Sequence, residues 1–260
     1  MKVVILCGGQ GTRLREQTEL LPKPMVEIGG RPILWHIMKT YAAFGLTDFV
    51  LCLGYKGHLI KEYFINYELR TNDCEVRLGD RSAARVLNDG GERDWTVRLI
   101  DTGENAQTGA RLFRIREHID ESRFCLTYGD GLGNIDIKGL LEFHRRHGKM
   151  ATVTGVRPPG RFGELELDGD RVAAFAEKPQ VTESFINGGF FVIEPEFIDR
   201  YLTDDDSLVL ERSPLQQAAS EGQLMMYPHT GFWQPMDTYR EWRMLDDMWN
   251  SGTAEWKIWD

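Results

Sequence analysis

The sequence predicts an α/β fold: a mostly parallel, mixed sheet flanked by helices, with a small antiparallel addition. Three observations predict it. Short apolar runs alternate with helical segments of roughly 10–15 residues, the βαβ rhythm that parallel strands require. The first apolar run ends directly in glycines. After residue 156 the rhythm gives way to short strand-like pieces separated by turn residues.

Taken in order, Lys2–Cys7 reads as a buried strand, rich in valine and isoleucine and stopped by Gly8-Gly9. Residues 8–14 form a glycine-rich turn. Pro32 is a good first helical residue, and Ile33, Leu34, Ile37, Met38, Tyr41 and Phe44 recur at helical spacing until Gly45. Phe49–Leu53 is a second buried strand, and Leu59, Ile60, Tyr63 and Phe64 mark a short helix. Residues 71–94 are polar and glycine-containing, an inserted loop or lid. Trp95–Asp101 alternates like a strand with one wet face, and Leu112, Ile115 and Ile119 sit at helical spacing. Phe124–Tyr128 is a strand followed by Gly129-Asp130-Gly131. Ile137, Leu140, Leu141 and His144 mark a helix, and Ala151–Val156 a strand. Beyond them Glu164–Leu167, Val172–Glu177 and Phe185–Ile193, punctuated by Asp168-Gly169-Asp170, read as an antiparallel addition to the same sheet. A single domain over 1–260 is expected, with a core over 1–156, a second part over 157–236 and a C-terminal helix and tail over 237–260.

The 260 residues carry a net charge of −9, from 40 acidic and 31 basic side chains. That balance argues against nucleic acid or an anionic membrane as the main partner. It leaves room for a small anionic substrate, which needs only local cations and backbone amides. Met1–Cys7 is too short for the apolar part of a secretion signal, and no apolar stretch of about 18 residues is present. The four cysteines, Cys7, Cys52, Cys74 and Cys125, lack CxxC spacing and read as reduced thiols of a cytoplasmic protein. His144 and His147 are three apart and read as a solvated or half-buried helix face. The tail carrying Trp242, Trp249, Trp256 and Trp259 is unusually apolar for an exposed end and is expected to pack on the core or on a neighbouring subunit.

Ligands of parallel sheets bind at the carboxyl ends of strands, and the turns after Cys7 and Tyr128 are such ends. Gly8, Gly9 and Gly11 let backbone amides approach a phosphate closely, although a plain tight turn also accounts for them. The dinucleotide fingerprint fails because Leu14 stands where its third glycine belongs, and no Gly-Lys-Ser/Thr completes a P-loop. Thr12-Arg13 instead adds a guanidinium fork suited to phosphate oxygens. Pro22-Lys23-Pro24-Met25 fixes a lysine between prolines, as a phosphate ligand or a surface turn. Asp130, between two glycines at a strand end, suits a hard cation such as Mg²⁺. Asp237-Thr238 offers a second carboxylate, or an N-cap for a helix over Tyr239–Met248. Two carboxylates sharing one metal that bridges phosphates suit nucleotidyl transfer. Glu177-Lys178-Pro179 and Asn187-Gly188-Gly189 mix the donors and acceptors that a sugar phosphate needs.

These motifs resemble those of the sugar-1-phosphate nucleotidylyltransferases. The resemblance rests on residues 8–14 (GGQGTRL), Pro22-Lys23-Pro24-Met25, Tyr128-Gly129-Asp130, Glu177-Lys178-Pro179 and Asn187-Gly188-Gly189, which follow the family's order over nearly the whole chain. Within the family, Val26-Glu27-Ile28-Gly29-Gly30, Pro32-Ile33-Leu34-Trp35-His36, Asp101-Thr102-Gly103, Thr108-Gly109, Arg161-Phe162-Gly163 and residues 231–238 (GFWQPMDT) are most similar to members that join CTP to glucose 1-phosphate. Ala110 departs from the pattern, which has a second glycine there.

The resemblance implies a Rossmann-like fold of the nucleotide-diphospho-sugar transferase type. It implies that Leu6, Gly8, Gly9, Gln10, Gly11 and Thr12 cradle the nucleotide and that Arg13 and Lys23 neutralise its phosphates. Thr108, Gly109, Arg111 and Gly129 are implied near the base or triphosphate, and Asp130 and Asp237 on Mg²⁺. Lys178 is implied on the sugar-linked phosphate, and Glu177, Asn187 and Gly188 on sugar hydroxyls, with Tyr128 and Trp233 walling the site. It further implies a homo-oligomer whose product enters CDP-sugar synthesis of the dideoxyhexose, O-antigen type. Use of another base (UTP or dTTP), use of another sugar phosphate, and a non-catalytic nucleotide-sugar-binding relative are the alternatives.

Overall fold

The computed structural model describes residues 1–9, 11, 20–80, 84–88, 91–157, 164–168, 171–176 and 184–259. Its central sheet has seven strands. They are β1 (Lys2–Leu6), β2 (Asp48–Leu53), β3 (Thr96–Asp101), β4 (Phe124–Tyr128), β5 (Ala151–Val156), β6 (Ile186–Ile193) and β7 (Leu224–His229). The spatial order is β7-β5-β6-β4-β1-β2-β3. Only β6 runs against its neighbours, β4 and β5; every other pairing is parallel.

Alternation along the strands feeds two cores, one on each face. Val3, Ile5, Phe49, Leu51, Cys125, Phe190 and Val192 point to one face. There they meet α1 (Ile33–Ala42), α2 (Gly57–Ile65), α4 (Ile137–His147) and Trp256. Val4, Leu6, Val50, Cys52, Leu126 and Phe191 point to the other. They pack on α3 (Thr108–Arg114), α5 (Glu196–Tyr201) and α6 (Ser213–Ser220). The chain then ends in α7 (Tyr239–Asn250) and the tryptophan-rich tail.

The post-156 pieces divide differently from expectation. Only β6 joins the central sheet, as its antiparallel member. Glu164–Asp168 and Arg171–Ala176 pair with each other in a separate two-stranded sheet. Each strand's ladder hydrogen bonds are met by the other. The 71–94 segment carries a short hairpin, Cys74–Glu75 with Arg85–Val86. The histidine pair also differs: His144 is buried, on the Thr152 hydroxyl at 2.8 Å and Glu194 at 3.0 Å, and His147 reaches the same hydroxyl at 2.7 Å. All four cysteines are free thiols, three of them buried.

The topology collects one set of residues at one edge. Gly8, Gly54, Thr102 and Gly129 follow the carboxyl ends of β1, β2, β3 and β4. Because β6 is reversed, its start, with Ile186 and Asn187 beside the end of β5, lies at that same edge.

Candidate active site

The charged centre is assembled by two very short strands. Gly131–Gly133 follows Asp130, and Trp233–Pro235 precedes Met236 and Asp237; the two pair antiparallel, with Pro235 opposite Gly131. The Met236 amide donates to the Asp130 carbonyl at 2.8 Å. Residues more than a hundred positions apart are thereby fixed side by side.

Lys23 completes the centre. It opens a 3₁₀ turn, Lys23–Met25, set by the flanking prolines and closed by the Met25 amide on the Pro22 carbonyl at 2.8 Å. Its ammonium donates to Asp130 Oδ2 and to Asp237 Oδ1, each at 2.6 Å. Lys23 is 9% exposed. Burial pushes its ammonium toward neutrality, but the two carboxylates outweigh burial and hold its pKa above the ordinary lysine value. Of the two roles open to Asp237-Thr238, capping falls to Thr238. Its hydroxyl accepts from the Glu241 amide at 3.3 Å, and Glu241 reaches back to the Thr238 amide at 2.8 Å, a capping box. The Asp237 carboxylate is left to face Lys23.

The centre fits a divalent metal. One ammonium against two carboxylates leaves a net −1, which repels a polyphosphate until another cation joins. Both carboxylates already converge on a single cationic atom. Mg²⁺ takes one or two carboxylates and completes its shell with water and substrate phosphates, so it needs no larger protein cage. Among the described residues no group of three or more metal-ligating side chains occurs.

The glycine turn is supported from beneath. Gly8, Gly9 and Gly11 are described, whereas Gln10, Thr12 and Arg13 lie outside the described residues, as do Glu177 and Lys178. Leu6, at the end of β1, accepts the Gly129 amide at 3.1 Å. A Cβ on Gly8 would meet the Arg111 guanidinium at 2.1 Å, and one on Gly54 at 2.4 Å. Arg111 is therefore a clasp under the turn. It donates to the carbonyls of Leu53 (2.9 Å), Gly103 (2.8 Å) and Gly8 (3.1 Å) and to the Thr102 hydroxyl (2.9 Å). Its two terminal nitrogens reach the ends of β1, β2 and β3, and burial lowers its pKa. The structure thus places Arg111 against the carbonyl of Gly8, where it braces the strand ends.

Thr108 and Gly109 are similarly engaged. The Gly109 amide donates to the Leu208 carbonyl at 2.9 Å, and the Thr108 hydroxyl donates to Glu211 Oε2 at 2.7 Å while accepting the Leu210 amide at 2.9 Å. On the neighbouring strands, the Tyr128 phenol donates to Glu211 Oε1 and accepts from Asn187 Nδ2 at 3.2 Å. Burial, and then the Glu211 carboxylate, push that phenol far above its usual range. Trp233 Nε1 donates to the Gly188 carbonyl at 2.8 Å. The structure therefore brings together Lys23, Asp130 and Asp237, and separately Thr108, Tyr128 and Asn187 through Glu211. Glu211 and Gly54 were missed by the sequence reading. Glu211 sits in a turn with no local motif, and only the crowding by Arg111 distinguishes Gly54.

Comparison with known proteins identifies the family. The nucleotidyl transferase family profile matches residues 2–238. Glucose-1-phosphate cytidylyltransferase of Salmonella typhi is 49% identical over 261 residues, covering all of both chains. The probable glucose-1-phosphate cytidylyltransferase of Bacillus subtilis (strain 168) is 43% identical, again over both full lengths. Mannose-1-phosphate guanyltransferase beta-B of Xenopus laevis is 31% identical, over 91% of this chain and 62% of its own. Among solved structures, HddC from Yersinia pseudotuberculosis superposes with a TM-score of 0.68 at 24% identity, over 95% of this chain and 99% of that one; it bears on the fold alone.

Proposed function

The chain belongs to the nucleotidyl transferase family, and on that premise we propose that it transfers the cytidylyl group of CTP to α-D-glucose 1-phosphate, giving CDP-glucose and pyrophosphate. The observation that carries the chemistry is Lys23 held between Asp130 and Asp237 at the carboxyl edge of the sheet. The substrate pair follows the full-length relatives at 49% and 43% identity, well above the guanyltransferase at 31%.

A phosphate oxygen of glucose 1-phosphate attacks the α-phosphorus of CTP. The new P–O bond forms in line as the bond to the bridging oxygen breaks, and that electron pair leaves with pyrophosphate. The nucleophile is already anionic, so no strong general base is required, and catalysis is positioning and charge neutralisation. Asp130 and Asp237 would hold Mg²⁺, which when bound supplies positive charge against the phosphates. Lys23, kept charged by its carboxylate partners, adds a fixed cation. Gly8, its carbonyl held by Arg111, is assigned with Gly9 and Gly11 to present backbone amides. Arg13 and Lys178 are assigned to the triphosphate and to the sugar-linked phosphate, Gln10 and Thr12 to the nucleotide, and Glu177, Asn187 and Gly188 to the sugar. The cysteines, all free thiols, fit a reducing compartment, and we place the activity in the cytoplasm, in a homo-oligomer.

Incubation of the purified protein with CTP, glucose 1-phosphate and Mg²⁺, followed by product identification, tests the reading. Equal amounts of CDP-glucose and pyrophosphate are expected. Their absence, with the protein folded, would overturn it.

A further inference from the structure

We infer that Glu211 is a positioning residue that ties the nucleotide side of the site to its sugar side. The inference rests on the assignment of the nucleotide loop and of Asn187 above. Glu211 lies in the turn before α6, and its two carboxylate oxygens reach in different directions. Oε2 accepts the hydroxyl of Thr108, the first residue of α3, and Oε1 accepts the phenol of Tyr128, the last residue of β4.

An ionised carboxylate has no proton to give, so both hydroxyls must donate to it. That fixes the polarity of the whole chain. Thr108 Oγ1 has its lone pair turned to the Leu210 amide, and the Tyr128 oxygen accepts from Asn187 Nδ2. The Asn187 amide is pinned at its other end as well, since its Oδ1 accepts the Gly189 amide at 2.8 Å. Asn187 is exposed at the edge where the sugar is assigned, with its orientation set through Tyr128 by Glu211.

The other branch runs through α3. Its entry is docked on the segment that ends in Glu211: the Gln107 amide meets the Asp206 carbonyl at 2.8 Å, and the Gly109 amide meets that of Leu208 at 2.9 Å. One turn along α3, Arg111 grips the Gly8 carbonyl under the nucleotide loop. A single carboxylate thus orients a sugar-side amide and steadies the helix beneath the nucleotide loop. Since it touches neither substrate in this assignment, its effect passes through its two hydroxyl partners.

The arrangement predicts a cross pattern. Hydrogen bonds to a charged partner are the stronger kind, so loss of each branch should raise the corresponding KM by about tenfold. Tyr128→Phe should raise KM for glucose 1-phosphate alone, Thr108→Val that for CTP alone, and Glu211→Gln both. The double variant Tyr128→Phe/Glu211→Gln should be no worse for the sugar phosphate than Glu211→Gln. The experiment measures both KM values, kcat and calorimetric binding of each substrate on the wild type and these four variants, with thermal melts as the control for folding. A folded Glu211→Gln with unchanged KM and unchanged binding for both substrates, losing only melting temperature or active fraction, would overturn the inference and leave Glu211 as scaffold. If the wild type binds both substrates without making CDP-glucose, the proposed reaction falls, and the binding pattern still decides on Glu211. Failure of the wild type to bind either substrate overturns both.

Discussion

Removing Lys23 leaves Asp130 and Asp237 facing each other without their cation. Lys23→Met should therefore lower stability by up to about 3 kcal/mol, measured by denaturant unfolding, because breaking a mostly buried ion cluster strands like charges. It should also lower turnover by on the order of 10²–10³, the usual cost of one preorganised charge. The same variant separates the two roles given to the carboxylates. If they form a metal pair, Mg²⁺ alone should raise the melting temperature of Lys23→Met more than that of the wild type, since the competing ammonium is gone; equal shifts would deny them that role. At this scale the sequence was readable where a residue type carries its own chemistry. Lys23, Asp130 and Asp237 announced themselves by prolines, glycines and strand ends. Arg111 was readable as important but not as a clasp, because its acceptors are backbone carbonyls from three strands. Glu211 was unreadable, because its partners come from residues 108 and 128, brought to it only by the fold.

Between residue and fold, α7 and the tail act on the segment that follows Lys23. Trp242 Nε1 donates to the Glu27 carbonyl at 2.8 Å, and Asp246 accepts the Gly29 amide at 2.8 Å. Gly29 sits at φ +58°, and a Cβ there would lie 1.8 Å from the Trp249 ring. Gly29→Ala is strained on both counts, by about 1–2 kcal/mol for the backbone alone. It should lower both melting temperature and turnover, because the hairpin whose turn it forms (Glu27–Ile28 with Arg31–Pro32) continues directly from the Lys23 turn; unchanged turnover in a destabilised variant would break that link. His36 anchors the same region. Its Nε2 donates to the Ile28 carbonyl at 2.9 Å, and its Nδ1 accepts from the fully buried Trp256 at 3.4 Å. Burial lowers its pKa from 6.5 to about 4. The neutral ring belongs to the folded state, so its contribution is complete above pH 6.5 and is lost as pH falls toward 4, by roughly 3 kcal/mol. Urea unfolding should show the stability gap between wild type and His36→Gln narrowing over that window; a constant gap would contradict the assignment. The buried strands are legible as short β-branched and apolar runs ended by glycine, Lys2–Leu6 and Phe124–Tyr128 among them. The edge strand Leu224–His229, with Pro228 inside it, was not, since an edge tolerates proline and shows no clean alternation. The pairing of Gly131–Gly133 with Trp233–Pro235 is too short and too distant in sequence to leave a pattern, yet it builds the charged centre.

Across the whole molecule, a chain of net charge −9 handles two anionic substrates because charge is organised locally. One sheet edge gathers the Gly8 end of β1, the Lys23 centre and the Glu211 network, and the reversed strand of the central sheet brings Asn187 and Gly188 to that edge. Relatives of this chain include a mannose-1-phosphate guanyltransferase as well as glucose-1-phosphate cytidylyltransferases, so the central claim is the choice of CTP and glucose 1-phosphate. The most direct measurement offers the protein equimolar CTP, UTP, dTTP, ATP and GTP with glucose 1-phosphate and Mg²⁺ and quantifies each nucleotide sugar formed. CDP-glucose should exceed every other product by at least about tenfold, the discrimination expected of a pocket that hydrogen-bonds its base. UDP-glucose or dTDP-glucose as the dominant product would contradict the account.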